Sequence, residues 1–324
     1  MSAPRLALTL LVVGLPQVAL GQAAPAETAR RPFERMPWEK EVPQSASGPW
    51  TGPRLADGQP NVAGFWSNTI ANQANFTDPQ AGDPGRPSAA SRLPRDQRAA
   101  SRVTDPADGQ VPYRPEARAL QEDFARHFQN PTEPRYVEPL ARCAPAGIPK
   151  SFMWHGHEIR QYPGYVVFLF DSGTRIVRLD GSPHLSDRIK LWNGDSRGHW
   201  VGNTLVVDVR NNNGKALFGY SGDFMSENGT VVERFVFAAD GKRFNYSATF
   251  TDPTVYTRPW TATIPLRRFT EADEVDGWHF DVTPANLPGA ERRYEHHERI
   301  CVENNGVFGG GAVGVPSFKP VISR

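Results

Sequence analysis

From about residue 150 onward, the chain is a series of short segments rich in Val, Ile, Thr, Phe and Tyr, separated by turn residues. In "RFNYSATFT" the side chains of Phe244, Tyr246, Ala248 and Phe250 alternate with polar ones, which is the two-residue period of a half-buried strand. The Asp-Gly pair in "RFVFAADGKRFNY" is typical of a hairpin turn. Consecutive strands with little helix between them predict a mainly β fold, either an antiparallel up-and-down barrel or a strongly curved sheet.

Residues 22–142 have a different composition and predict a long irregular N-terminal arm. The stretch "QAGDPGRPSAASRLPRDQRAASR" lacks apolar periodicity and buries too little surface to offset the entropy of ordering it. One short helix is expected near residues 115–128, because Pro115 opens "PEARALQEDFARHF" and Leu120, Phe124 and Phe128 recur at helical spacing. The predicted β-barrel domain covers residues 143–305, and residues 306–324 form a C-terminal tail.

Residues 1–21 have the features of a cleaved signal peptide. Arg5 precedes an apolar run from Leu6 to Leu20, and Ala19 and Gly21 have the small side chains of a cleavage site. The run is shorter than the roughly 20 residues of a spanning helix, and no later segment is long and apolar enough to span. The sequence therefore predicts a periplasmic or secreted protein without a membrane span.

The formal net charge of +1 carries no electrostatic footprint for nucleic acid, so no nucleic-acid partner is expected. The two cysteines of the chain are Cys143 and Cys301. In an oxidising compartment such a pair is most simply a disulfide, and the alternatives are two free thiols or one metal ligand each. Neither cysteine has a second one nearby, so zinc-type spacing is absent from the sequence.

Several separate strings resemble a large family of secreted bacterial proteins of unknown function. They include "PRLADGQPNVAGFW", "RIVRLDGSPH", "WNGDSRGHWVGNTLVVD", "TDPTVYTRPWTATIPLRR" and "ERICVENNG", and the resemblance covers about residues 53–305. The block "GHWVGNTLVVD" is also similar to a hairpin of lipocalin-like barrels, with Asn203 in place of the usual Asp. The resemblance implies a lipocalin-like (calycin-like) fold and an exported protein, and it assigns no catalytic residue.

The sequence after the signal peptide lacks the common cofactor motifs. It contains no G-x-G-x-x-G after a strand, no P-loop, no H-E-x-x-H and no G-x-S-x-G. We therefore expect no cofactor and assign no metal site, and any catalysis would come from side chains alone or from a metal bound by scattered residues.

The first two candidate clusters are "WHGHE" and "RIVRLDGSPH". On a strand, His155 and His157 share one face, where they would serve as metal ligands, as acid–base or hydrogen-bonding groups, or as structural polar residues. Arg175 and Arg178 lie on opposite faces of the second strand, and an arginine inside a barrel needs a carboxylate or an anionic ligand as its partner. His184 follows on the turn and is a candidate catalytic base.

The third cluster is "LWNGDSRGHWVGNT", in which Trp192 and Trp200 flank the charges of Asp195 and Arg197. Indoles beside a charge pair favour a partly dry site, where hydrogen bonds strengthen. This arrangement indicates either a site at the barrel mouth or an ion pair that pins a barrel corner.

The fourth cluster is "YEHHERICV", in which Tyr294 and His296 share one strand face with Glu298. That face is an acid–base set if it points into the barrel, and a solvated edge strand if it points outward.

Together these patterns predict cofactor-independent acid–base chemistry, of lyase or isomerase type, on a small hydrophobic or aromatic molecule. Its catalytic residues would be His157, His184, Asp195 and Arg197. Its substrate-binding residues would be His155, Arg175, Arg178, Trp192, Trp200, Tyr294 and His296. The alternatives are a binding or carrier barrel without catalysis and a purely structural protein. We further expect Asp195 and Arg197 to lie near His184 and near His155 or His157, at one end of the barrel.

Overall fold

The computed structural model describes residues 48–68, 75–153, 156–170, 173–268, 280–282 and 294–296. The fold is mainly β, as predicted, and its centre is a closed barrel of nine strands. The predicted signal peptide, residues 1–21, and the predicted tail, residues 306–324, lie outside the described residues. Within the described ranges, no helix has the length and apolar character needed to cross a membrane.

The strands of the described residues are, in chain order, β1 (Gly64–Asn68), β2 (Gly82–Asp83), β3 (Arg86–Pro87), β4 (Val103–Asp105), β5 (His157–Tyr162), β6 (Tyr165–Phe170), β7 (Gly173–Arg178), β8 (Asp195–Val201), β9 (Thr204–Arg210), β10 (Thr230–Phe237), β11 (Arg243–Thr251), β12 (Trp260–Arg268), β13 (Phe280–Val282) and β14 (Tyr294–His296). The α-helices are α1 (Pro115–His127) and α2 (Lys150–Met153). Short 3-10 helices cover Ala89–Arg92, Arg95–Gln97, Pro134–Tyr136 and Pro139–Arg142.

The barrel is closed by β1, which pairs antiparallel with β5 on one side and with β12 on the other. Strands β5 to β12 follow one another around the wall in chain order. Every neighbouring pair among them is antiparallel except β7 and β8. This order confirms a closed barrel and excludes an open curved sheet, and the β7–β8 pair is the departure from the predicted antiparallel up-and-down order.

The pairing of β7 with β8 is the exception to the antiparallel order. These strands run parallel and share a single backbone pair, Arg178 with Arg197. The chain reaches the start of β8 through the long connection of residues 179–194 and therefore enters the sheet in the same direction as β7. The wall consequently has few backbone hydrogen bonds along this seam.

Strand β1 lies in the segment 22–142 that the sequence predicts to be irregular, so that prediction is wrong for these residues. Trp66 of β1 is fully buried, and its ring contacts Phe237 and Phe244 edge-on at centroid distances of 5.6 and 4.9 Å. Its backbone partners, His157 and Arg268, are far away in the chain. The sequence of β1, "GFWSN", does not alternate apolar and polar side chains, so the strand carries no local signal and its neighbours in the barrel stabilise it.

The structure also corrects the expected extent of the barrel and confirms the expected helix. Helix α1 begins at Pro115, as the sequence predicts. The segment that contains Tyr294 and His296 was predicted as a barrel strand, but β14 pairs with β13 in a separate two-stranded sheet. An alternating sequence is compatible with a strand in either place. The pattern alone therefore did not distinguish a strand of the barrel from a strand of a separate two-stranded sheet.

Aromatic side chains occupy the interior of the barrel. The alternation predicted for β11 is confirmed, because Phe244, Tyr246, Ala248 and Phe250 are all buried. Helix α2 adds Phe152, whose ring stacks on that of Tyr246 at 4.4 Å and meets Phe168, Phe170 and Phe235 edge-on at 5.3, 5.1 and 5.2 Å. These rings take up space that a lipocalin-like barrel uses for its ligand.

Candidate functional site

A buried ion pair between Arg175 of β7 and Glu233 of β10 lies inside the barrel. The guanidinium binds the carboxylate through both Nη atoms, with Nη1 at 2.9 Å from Oε1. The hydroxyl of Tyr246 donates to the same Oε1 at 2.7 Å. Burial, followed by the charge of Glu233, raises the pKa of Tyr246 well above its ordinary value, so this hydroxyl stays protonated as a donor.

The same arginine connects the two strands of the seam. Its Nε and Nη2 atoms both donate to the hydroxyl of Ser196 on β8, at 3.2 and 3.0 Å. Beside them, a Cβ on Gly198 would come within 2.7 Å of a methyl group of Val177, so glycine permits β8 to approach β7 closely. The inward arginine that the sequence singled out as a substrate ligand thus pairs with an internal carboxylate and holds the seam.

His157 is fully buried among the aromatic rings of the barrel interior. Its ring lies 5.3 Å from that of Phe170 and 5.4 Å from that of Phe152. His155 lies outside the described residues, so the predicted same-face histidine pair stays a prediction.

His184, Asp195 and Arg197 form a compact network, as the sequence predicts. The Asp195 carboxylate contacts His184 Nδ1 at 2.9 Å and accepts from Arg197 Nη1 at 2.7 Å and from the backbone N–H of Leu185 at 2.9 Å. The other ring nitrogen of His184 lies 3.2 Å from a carboxylate oxygen of Asp208. Both nitrogens of the predicted base are therefore engaged by the protein.

This network lies on the outer face of the barrel wall, not at the mouth of the interior. The Ser196 hydroxyl meets Arg175 inside the barrel, so its neighbours Asp195 and Arg197 point outward. Arg197 also donates to the carbonyl oxygen of Pro183 at 3.0 Å, which ties the connection 179–194 to β8. His157 lies in the interior, on the other side of the wall from this network, and His155 lies outside the described residues, so the expected proximity to one of the two histidines stays a prediction.

The two tryptophans do not enclose this network. Trp200 is half-buried and packs on the interior side against Phe237, with ring centroids 5.9 Å apart. Trp192 lines a different cavity, described below. Arg178 is on the outer face, where its guanidinium carbon lies 6.0 Å from the ring centroid of Tyr165. The side chains of Tyr294 and His296 lie outside the described part of the chain.

A cavity of about 640 Å³ lies between α1, residues 134–144 and the loops around residues 192 and 213–227. Its size falls within the range of small-molecule pockets. We call it the α1 pocket. It is lined by Leu120, Phe124, Pro134, Arg135, Val137, Pro139, Arg142, Ala144, Trp192, Asn213, Gly214, Lys215, Leu217, Phe224, Ser226 and Glu227.

Buried polar contacts hold the walls of the α1 pocket in place. The Tyr113 hydroxyl donates to Asp223 Oδ1 at 2.8 Å, and the Ser221 hydroxyl donates to Asp223 Oδ2 at 2.6 Å. Burial raises the pKa of Asp223. From α1, the side-chain amide of Gln121 donates to the Ser221 carbonyl oxygen. The helix and the loop that line the pocket are thus joined by hydrogen bonds within the protein.

The sequence contained one signal for this pocket, the helical spacing of apolar residues that predicted α1. Leu120, Phe124 and Phe128 recur at helical spacing, and we call these three residues the stripe of α1. Phe128 is buried and stacks on Tyr220 at 4.6 Å, whereas Leu120 is 37% exposed and Phe124 is only half-buried. Leu120 and Phe124, the less buried residues of the stripe, line the cavity.

Comparisons of the chain with protein-family models, with curated proteins and with solved structures find no match. Among the described residues, no group of three or more His, Cys, Asp and Glu side chains is placed to hold a metal ion.

Proposed function

We propose that this protein binds a small hydrophobic or aromatic molecule in the α1 pocket, as an exported binding or carrier protein. The observation that carries the proposal is a cavity of about 640 Å³ with an apolar wall formed by Leu120, Phe124, Leu217 and Phe224. Apolar walls with a few polar groups at the edge are typical of small-molecule sites.

The pocket supports binding better than the barrel interior does. Aromatic rings and the Arg175–Glu233 pair occupy the interior, and these groups are satisfied by one another. His184 has both ring nitrogens against carboxylates, which leaves neither positioned to take a proton from a substrate.

A neutral fluorescent probe, N-phenyl-1-naphthylamine, tests the proposal directly. We expect saturable binding to the full-length mature protein and weaker binding to the Leu120→Asn variant. Loss of apolar contact there should reduce affinity about 5- to 30-fold, on the order of 1–2 kcal/mol.

Leu93→Asn is the matched control. Leu93 is 45% exposed and does not line the pocket, so the same chemical change should leave probe affinity within about twofold of wild type. Equal affinities for wild type and the Leu120 variant, or no saturable binding by wild type, would refute the proposal.

Acid–base turnover of the bound molecule, as a lyase or isomerase, is the second candidate, and one group beside the pocket favours it. Arg135 of the pocket wall donates to the Tyr136 hydroxyl at 2.6 Å, and this hydroxyl donates to Asp123 Oδ2 at 2.7 Å. The Tyr136 hydrogen bond lowers the pKa of Asp123, and the ring of His127 stacks on Tyr136 at 4.0 Å. A histidine, a tyrosine and an arginine thus lie together, and each of these side chains can take part in acid–base chemistry.

Turnover assays on aromatic acids and esters separate the two candidates. An enzyme should show pH-dependent elimination or double-bond migration that Tyr136→Phe abolishes while probe binding is retained. A carrier should show binding and no turnover at any pH.

Export is part of the proposal and rests on residues 1–21. The mature protein from the native host should begin at Gln22, which intact-mass measurement determines. A mature chain that retains residues 1–21 would refute this step.

A further inference from the structure

We infer that the ligand of the α1 pocket carries an anionic group, a carboxylate, sulfonate or phosphate, that is bound by Arg142 and Lys215. The inference rests on the proposed function, because it names the chemical class of the molecule that would occupy the same cavity.

The charged residues of the pocket lining are three cations and one acid, namely Arg135, Arg142, Lys215 and Glu227. Arg135 already contacts Glu133, with Nε 3.0 Å from a carboxylate oxygen. Arg142 and Lys215 make no ion pair within the described residues, and both are exposed. With Arg135 paired, the lining keeps two cations and one acid. The edge of the pocket therefore carries a net positive charge beside an apolar wall.

The backbone holds both cations at the pocket edge. Arg142 ends the 3-10 helix Pro139–Arg142, and Cys143 follows with φ of 58°, so the chain reverses there and Ala144 also lines the pocket. Lys215 lies in a turn in which its N–H donates to the Asn213 side chain at 3.0 Å. The side chains remain free to adjust while their attachment points stay in place.

The separation of apolar and charged groups sets the orientation of the ligand. Leu217 and Phe224 offer apolar surface, whereas Arg142 and Lys215 keep their charges in water. An amphipathic anion would bury its hydrocarbon or aromatic part and keep its charged group at the hydrated edge. Such a ligand avoids the cost of burying an unpaired charge.

Two probes that differ by one anionic group test this inference. N-phenyl-1-naphthylamine is neutral, and 8-anilinonaphthalene-1-sulfonate has the same rings with a sulfonate. We expect wild type to bind the sulfonate more tightly. The Arg142→Gln/Lys215→Gln variant should lose about 5- to 20-fold in sulfonate affinity and at most twofold for the neutral probe, since each exposed ion pair contributes at most about fivefold.

Two further variants control for charge. Glu227→Gln removes the acid of the lining and should tighten sulfonate binding by up to about fivefold. Lys242→Gln removes an exposed lysine that does not line the pocket and should change neither affinity. Raising the salt concentration should weaken only the sulfonate, because exposed charges are screened.

The outcomes distinguish the inference from the proposed function. If the neutral probe binds and wild type shows no preference for the sulfonate, or the preference persists in the double variant, the inference is overturned and the proposed function stands. If neither probe binds, both fail. Near-UV circular dichroism of each variant confirms that sulfonate binding reports the pocket and not an unfolded surface.

Discussion

Replacing Arg175 with methionine removes the cation of the buried ion pair and leaves Glu233 charged inside the barrel. The side chains are 2% and 0% exposed, so water does not compensate for the lost partner. Breaking a buried pair from one side typically costs about 3–5 kcal/mol in the free energy of unfolding. The variant also loses the two hydrogen bonds to Ser196 that cross the seam between β7 and β8.

The double variant Arg175→Met/Glu233→Leu removes both charges and tests this reasoning. No unpaired charge remains, and the expected loss falls to about 1–3 kcal/mol, since the Tyr246 hydroxyl then lacks its acceptor. Adding Tyr246→Phe should recover part of that loss.

Urea unfolding at neutral pH, followed by far-UV circular dichroism, measures all three variants with wild type. The double variant should be more stable than the Arg175→Met single variant, because it leaves no unpaired charge inside the barrel. A double variant that is equally or less stable would refute this expectation and would show that the arginine acts mainly through the seam.

Three further outcomes are expected, two from the structure and one from the sequence. Arg197→Ala should lower the free energy of unfolding by about 1–3 kcal/mol, because it frees the connection 179–194; a free energy of unfolding equal to that of wild type would contradict this structural role. Phe152→Ala should cost about 3–5 kcal/mol in urea unfolding, since its ring fills the barrel interior, and a cost below about 1 kcal/mol would mean that the interior rearranges. Cys143 is predicted to be bonded to Cys301, which lies outside the described residues, so the native protein should resist alkylation until it is reduced; two alkylated thiols before reduction would contradict the disulfide.

Local separation in the chain explains why part of the outer network was predictable. His184 and Asp195 are eleven residues apart in one connection, so there is little chain between them. The face of the wall was not predictable, because alternation assigns residues to two faces without saying which one is inside. Which face lies inside depends on the contact between Arg175 and Glu233, which are 58 positions apart in the chain.

The α1 pocket shows a different limit of sequence reasoning. The stripe of Leu120, Phe124 and Phe128 correctly predicted a helix, since helical spacing is a local property. How much of that stripe is covered depends on the loop that contains Asp223. This loop is anchored by the hydrogen bond from the Tyr113 hydroxyl to Asp223. The spacing of apolar residues in a helix carries no information about the width of the protein surface that packs against the helix.

The sequence by itself determined the mainly β class, the strand alternation, the turns and α1, because each depends on interactions within a few residues. The tertiary structure alone decided that β1 closes the barrel, that β8 runs parallel to β7 and that Phe152 occupies the interior. Each of these depends on contacts between residues far apart in the chain, whose free energy no local pattern encodes. The candidate pocket has the same origin, because its wall is assembled from four separate segments that only the fold brings together.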